Sequence, residues 1–391
     1  MTRRFFPRWI LTALVVLSAL TLAGCGGQAP ASAWPGLAPG DDVVYLTATT
    51  KAYAVYVADG KPKWPYEHKV PQAGLFGSSM VADSIHAKPT VRDGVVYFGT
   101  DSGYLIAVDT ATGSEKWPPY RPDLPTTSLL FINIQEHPTP VYAGPVVAGK
   151  HVIFVGTGNQ VLALDAASGK PAPGWEPYTA ASRIWGSPLV AGDSIYITTL
   201  GHQLIALDAT TGKPRWIFDK PTGALAGTPV LDNGTLYVGS FDKHLYAVDA
   251  ATGQDRWAQP FNANNWIWEG PVVVSNTLYF GDLGGNVYAL DAATQQLTWA
   301  QPFQAGGAVR ATPLYSDGVL YVGTDNGALY ALDATTGQPR WAQPFKVPNA
   351  RFLTTPLMQG GLLLVAPLGT PTLLYGLDPV NGQTRWQFAP K

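Results

Sequence analysis

One cysteine, Cys25, is all that the 391 residues contain, so no disulfide can form within the chain and stability has to come from packing. Charge is scarce as well: Asp, Glu, Lys and Arg make up 13% of the residues, against roughly 25% in an average soluble domain. No run of like charges occurs and the net charge is −2, which removes the phosphate grip of a nucleic-acid binder. His68, His86, His137, His151, His202 and His244 are scattered, with no pair at metal-ligand spacing. His202 and His244 fall near equivalent turns and read as solvated turn residues. The apolar stretch over residues 9–23 is shorter than the about 20 residues that a membrane-crossing helix needs. What is abundant points elsewhere. With 42 Gly, 34 Pro, 13 Trp and 46% hydrophobic residues, the chain reads as many short elements joined by tight turns, which excludes disorder and an all-helical fold.

Arg3, Arg4 and Arg8 precede residues 9–23, so the stretch reads as a secretion signal. It ends in Leu22, Ala23, Gly24 and Cys25, which resembles the bacterial lipobox, whose cysteine is acylated and becomes the first residue of the mature protein. The expected organisation is a lipoprotein signal peptide over 1–24, a lipidated tether over 25–33 and a folded body over 34–391. Two or three acyl chains, at about 0.8 kcal/mol per buried methylene, anchor stably where one is marginal. The expected place is the cell envelope: the periplasmic face of an outer membrane, or the outer face of the cytoplasmic membrane in a single-membrane cell. Arg3 and Arg4 with Phe5 and Phe6 resemble in part a twin-arginine export signal, which Pro7 interrupts.

The body is repetitive. Ala206, Leu207, Asp208, Thr211, Gly212 and Trp216 return as Ala247, Val248, Asp249, Thr252, Gly253 and Trp257, and again as Ala331, Leu332, Asp333, Thr336, Gly337 and Trp341. The anchors Trp64, Trp117, Trp175, Trp216, Trp257, Trp299, Trp341 and Trp386 define eight units 41 to 58 residues apart, the longer gaps placing insertions at 66–87 and 121–142. Each unit holds apolar runs of strand length between turn signals, enough for four strands. Leu236 and Val238 would point to one side of a strand and Tyr237 to the other, so both faces of each sheet need covering. Radial stacking of four-stranded antiparallel sheets satisfies this, and the spacing predicts an all-β, eight-bladed β-propeller. Within a unit, Asp249 can accept hydrogen bonds from the next turn, Gly253 supplies a left-handed residue and Trp257 covers a turn and the neighbouring blade.

This motif resembles the tryptophan-docking repeat of the pyrroloquinoline-quinone (PQQ)-like β-propellers over essentially residues 34–391, and with the lipobox it is most similar to the outer-membrane assembly lipoproteins among them. The resemblance implies a fold more firmly than a function, because one propeller serves many roles. The quinoprotein dehydrogenases of the family carry an adjacent-cysteine disulfide under the cofactor and a Ca²⁺ site. This chain has no second cysteine and lacks their inserted segments. The turns Asp101, Ser102, Gly103 and Asp325, Asn326, Gly327 suit hairpins and lack the ligand spacing of a calcium loop. The glycines at 156–158 and 281–285 precede no helix and read as strand-turn-strand.

Differences between repeats locate the candidate site. The innermost strands open at Pro188, Pro229, Pro271, Pro313 and Pro356, and the third residue before each is Trp185, Ala226, Trp268, Arg310 or Leu353. Two further back stand Arg183, Ala224, Trp266, Ala308 and Arg351. In a propeller these positions ring one mouth of the central channel. Arg183, Trp185, Trp266, Trp268, Glu269, Arg310 and Arg351 are therefore the candidate binding surface, anion-preferring and built of residue types enriched in hot spots. The same tryptophans would serve equally as packing between blades. The insertions, with apolar residues at 76–80 and 129–134, would either contact a partner or membrane or fold back over the ring. The expectation is a non-enzymatic, monomeric scaffold for a protein or peptide partner in the cell envelope, with no metal and no cofactor. The alternatives are a surface sensor for a small anionic ligand or PQQ, and a degenerate quinoprotein dehydrogenase.

Overall fold

The Asn-Gly pair at 233 and 234 takes positive φ angles of 44° and 75°, the two left-handed residues of a tight hairpin turn. That turn fixes the register Val230 to Tyr237, Leu231 to Leu236 and Asp232 to Thr235. Strand Thr235–Gly239 then pairs with His244–Asp249, which pairs with the short outer strand Phe261–Asn262. The same four-step antiparallel meander recurs along the chain. In this computed structural model, residues 34–390 are described apart from 75, 76, 124, 125, 130, 131, 136–138 and 157, and the described elements are strands and turns without a helix. The segments expected to form a signal peptide over 1–24 and a lipidated tether over 25–33, Cys25 included, lie outside the described residues.

Eight blades form, the first from the strands Gly36–Pro39 to Pro62–Glu67 and the last from Leu357–Gln359 to Thr384–Phe388. Seven have four strands; the second has three, its outer strand reduced to bridges joining Leu105 to Tyr120 and Val108 to Glu115. Both faces of each sheet are buried, as the alternation requires. Leu236 and Val238 join Tyr196, Leu204 and Phe218 of blade 4, while Tyr237 joins Ile267, Leu278 and Phe280 of blade 6. Each seam between blades thus has its own apolar core, and each fully buried side chain such as Phe98, Phe154 or Phe280 contributes roughly 1.5–3 kcal/mol.

Ring closure uses the same chemistry as every other seam. Leu37, Val44 and Leu46 of blade 1 pack with Leu364, Leu374 and Phe388 of blade 8, and Gln359 Nε2 donates to the Gly40 carbonyl at 2.6 Å. The first and last sheets are each made of consecutive strands, so no strand is exchanged to close the wheel.

The repeated motif works between blades. Asp249 Oδ1 accepts from the N–H groups of Ala251 and Thr252 and from the Thr252 hydroxyl, which fixes the turn. Trp216 of the preceding blade lies flat over Gly253, where a Cβ would come within 2.7 Å of its ring, and donates its indole N–H to Ala250 O at 3.2 Å. Trp64, Trp117, Trp257, Trp299, Trp341 and Trp386 make the equivalent hydrogen bonds to Thr110, Ala166, Ala292, Ala334, Pro379 and Val57. Two seams deviate. Trp175 follows a turn two residues longer, and its buried Nε1 finds no acceptor. Gln295 stands where the other turns have glycine and is held at φ 58°.

The two insertions form hairpins. One pairs Lys69–Gly74 with Gly77–Ala82 and exposes Met80 to 61%; the other pairs Thr126–Leu129 with Ile132–Gln135. Most side chains of the apolar stretches at 76–80 and 129–134 lie outside the described ones. The glycines at 281–285 do join two strands, Thr277–Gly281 and Asn286–Asp291, and Gly103 and Gly327 take the positive φ of turns.

Candidate functional site

The segment that links one blade's outer strand to the next blade's inner strand is bound by its backbone to the turn between second and third strands. Phe241 N–H donates to Ala224 O, Ile267 N–H to Ser240 O and Leu283 N–H to Trp266 O. An extended segment so held sends alternate side chains opposite ways. Ile184, Leu225, Ile267, Val309 and Phe352 go into the seams and are buried. Glycines facing them in the neighbouring blade make room: a Cβ on Gly239 would lie 2.4 Å from Ile267, and one on Gly281 2.2 Å from Val309. The residues on either side of these plugs are left for the axis and the face around it. Both inserted hairpins lie in the same class of connection, so they rise from this face too.

Six aromatic rings meet there in one chain. Tyr142 stacks on Trp185 with centroids 4.7 Å apart and 16° between planes. Trp185 meets Trp34 edge-on at 6.4 Å, and Trp34 meets Trp268 at 5.5 Å. Trp268 contacts Phe241 at 5.1 Å, and Phe241 stacks on Trp266 at 5.1 Å and 9°. Trp266 ends the chain in solvent, 46% exposed. Such pairs contribute roughly 0.5–1.5 kcal/mol each beyond burial.

Arg310 places its guanidinium 4.9 Å from the Trp268 ring centroid, a cation–π contact. Its nearest carboxylate, Asp325, is 3.9 Å away, beyond hydrogen-bond length. Burial lowers the Arg310 pKa, Asp325 opposes that shift and the nearby positive charge of Arg351 adds to it. The group stays charged at any physiological pH. Arg310 Nε and Trp268 Nε1 are both buried without a partner. An unfilled buried donor costs about 1–3 kcal/mol, so each of the two favours an acceptor.

Glu269 follows Trp268 in the same segment. Its Oε2 accepts the Thr228 N–H at 3.0 Å, and it keeps some accessible surface while protein surrounds it. Burial pushes its carboxyl up to about 7, and Lys88, on the diametrically opposite blade 2, acts against this across the axis. Gly227 has to be glycine here, since a Cβ would sit 2.4 Å from Trp268 O and 2.8 Å from Glu269 Oε2.

Of the residues singled out in the sequence, Trp185, Trp266, Trp268 and Arg310 come together, with Arg351 close enough to act on Arg310 electrostatically. Arg183 is exposed and acts on Tyr142. Ala226 and Leu353, at the same positions in other blades, are buried. Trp34, Tyr142 and Phe241 were missed. A signal existed for the first: setting aside the eight anchors leaves Trp9, Trp34, Trp185, Trp266 and Trp268, and the last four converge on one mouth. His244 sits beside Asp242 at 3.1 Å and His202 is exposed in its turn, while His151 is buried against Trp175. Among the described residues, no three of His, Cys, Asp and Glu gather as metal ligands.

A stacked quinone would have to displace the indole of Trp34, which lies between Trp185 and Trp268, and would find no cysteine among the described residues.

A family described as "Outer membrane protein assembly factor BamB" matches residues 132–305 and 283–390, and one described as "Glucose/ethanol/alcohol dehydrogenase, beta-propeller domain" matches 57–182. Outer membrane protein assembly factor BamB of Vibrio cholerae is 30% identical over 33% of this chain and 30% of its own. The dehydrogenase subunit of a quinone alcohol dehydrogenase from Gluconacetobacter polyoxogenes is 31% identical over 37% of this chain and 21% of its own. The matches therefore span less than a third of either relative. In structure, BamB from Moraxella catarrhalis superposes with a TM-score of 0.65 at 19% identity, covering 84% of this chain and 92% of that one. The computationally designed Ika8 protein gives 0.66 at 13% identity, covering 92% and 98%. At such identities the likeness is one of fold. The tryptophan-docked blades and the match across residues 132–390 place the chain in the PQQ-like β-propeller family described as outer membrane protein assembly factor BamB.

Proposed function

We propose that this protein is a non-enzymatic scaffold of the cell envelope, anchored by lipid on Cys25, that captures a segment of a partner protein on its mouth face. One observation carries the reading. The aromatic and arginine residues that depart from the repeat gather on a single face, with Trp266 exposed and two donors unfilled. Trp and Arg are the residue types that dominate binding hot spots, and loops on a rigid frame are where binding concentrates. Membership of the BamB family supports a partner in the envelope, and the arginines beside the leader and the small residues before Cys25 support export and acylation. A quinone cofactor has no part in this reading.

The test is photo-crosslinking in the native envelope with the full-length protein. A photoreactive phenylalanine at position 224, in the mouth, is expected to capture an envelope protein, and one at position 297, on the opposite rim, is not. Equal capture at both positions, or none at 224, removes the reading. Added PQQ is expected to leave the protein's tryptophan fluorescence unchanged. Saturable quenching would favour the quinoprotein alternative.

A further inference from the structure

Trp34 opens blade 1, but its ring packs elsewhere. Gly36 opens the inner strand of blade 1, with its N–H on Thr47 Oγ1 at 3.1 Å, and Pro35 O accepts the Thr354 hydroxyl of blade 8. The chain is thus pinned at the seam of blades 1 and 8. The ring of Trp34, one residue earlier, nevertheless meets Trp185 of blade 4 and Trp268 of blade 6. Blade 5 stands opposite blade 1 in a wheel of eight, so this indole reaches across the axis to the far side of the mouth. It rests there on other rings, half-buried, as an aromatic side chain of another protein would.

Beside it the site is incomplete. Trp268 Nε1 and Arg310 Nε are enclosed and unpaired, and the Arg310 charge, with that of Arg351 acting on it, has Asp325 nearby but beyond hydrogen-bond length. Glu269 commits its Oε2 to the Thr228 N–H. A carboxylate is the group that would take both donors and balance the local charge. We propose that the mouth docks a partner segment bearing an aromatic side chain next to a carboxylate, and that Trp34 holds the aromatic place until the partner displaces it. This rests on the scaffold reading and names the chemistry of its partner.

The probe is the acetylated tripeptide amide Asp-Trp-Asp, compared with Asn-Trp-Asn and Asp-Ala-Asp, in calorimetric titrations of the full-length protein. Trp34→Ala is expected to bind Asp-Trp-Asp at least tenfold more tightly than the wild type. Each of the other two peptides is expected to bind that variant at least tenfold more weakly, and Arg310→Gln in the same background to lose a similar factor. Binding no tighter than wild type, equal binding of the three peptides, or none at millimolar peptide overturns the proposal. Should Trp34→Ala fold poorly, the wild type decides. Labelled with 5-fluorotryptophan and assigned with Trp34→Phe, its residue 34 signal is expected to shift on saturation with Asp-Trp-Asp, and an unmoved signal overturns the proposal. Capture at position 224 that is indifferent to Trp34→Ala would leave the scaffold and remove displacement. Peptide exchange as expected without any captured envelope protein would do the reverse.

Discussion

The two faces of the wheel are built on opposite rules. On the rim that carries the Asp turns, seam after seam uses one device: an Asp-fixed turn, a left-handed glycine and a tryptophan from the preceding blade donating to a carbonyl. On the mouth face the same blades present Trp185, Ala226, Trp268, Arg310 and Leu353 at one equivalent position. A closed ring needs every seam to subtend a similar angle, so the rim tolerates little variation. The segments near the axis are held by backbone hydrogen bonds that any side chain permits, which leaves their outward residues free to specialise. Repetition in this protein marks what holds the wheel together, and departure from it marks what the wheel presents.

The largest effect that would break this contrast belongs to the rim. Trp299→Ala removes a buried ring, its hydrogen bond to Ala334 and its cover over Gly337. A loss of about 3–5 kcal/mol is expected in urea unfolding. A loss under about 1 kcal/mol would show that the seams do not depend on the docked tryptophan.

Glu269 gives the next largest effect. Its folded pKa of about 7 lies above the ordinary carboxyl value, so its ionised form is disfavoured in the folded state. Stability is therefore full below the unfolded value and declines as pH rises to about 7, by at most about 3 kcal/mol. Glu269→Gln is expected to match the wild type at pH 4 and exceed it at pH 8 in thermal melts. Parallel pH profiles would place the carboxyl in water.

The double variant Trp268→Ala with Arg310→Ala sharpens the contrast directly. It is expected to cost less than Trp299→Ala, about 1–3 kcal/mol, because the loss of three ring contacts at roughly 0.5–1.5 kcal/mol each is offset by removal of two unfilled buried donors, while abolishing capture at position 224. A loss equal to that of Trp299→Ala with capture intact would make the mouth aromatics packing and nothing else.

The smallest effect returns to the rim. Gln295 occupies a left-handed position that glycine fills at 212, 253 and 337. Gln295→Gly is expected to gain about 0.5–1 kcal/mol by relieving that conformation, read as a small rise in melting temperature. A fall would mean that the Gln295 side chain, which donates to Gln259 O, matters more than its backbone.

The rim was almost fully legible in the sequence because its logic is local. Asp249, Gly253 and their equivalents lie within one turn, and the tryptophans recur at a spacing that counts the blades. The reduced outer strand of blade 2 was not legible, since bridges at Tyr120 and Glu115 depend on what the neighbouring insertion leaves free. Of the mouth, Trp185, Trp268 and Arg310 could be found by aligning repeats. Tyr142 stands three residues before Pro145, the same position in blade 3, and was open to the same alignment, whereas Phe241 was not, since it lies in a turn between strands. Glu269 stands beside Trp268 in sequence, and its Oε2 accepts the Thr228 N–H of the preceding blade, a partner that no local pattern names.

By itself the sequence determined the number of blades, the strands of all but the second and the device that joins them, because each follows from contacts within a repeat or between consecutive repeats. Only the tertiary structure decided which residues face one another across the axis. Trp34, Trp185 and Trp268 come from blades 1, 4 and 6, and Lys88 and Glu269 from blades 2 and 6. No local pattern brings such residues together. Their meeting is set by closure of the ring, which turns separation along the chain into distance across a channel.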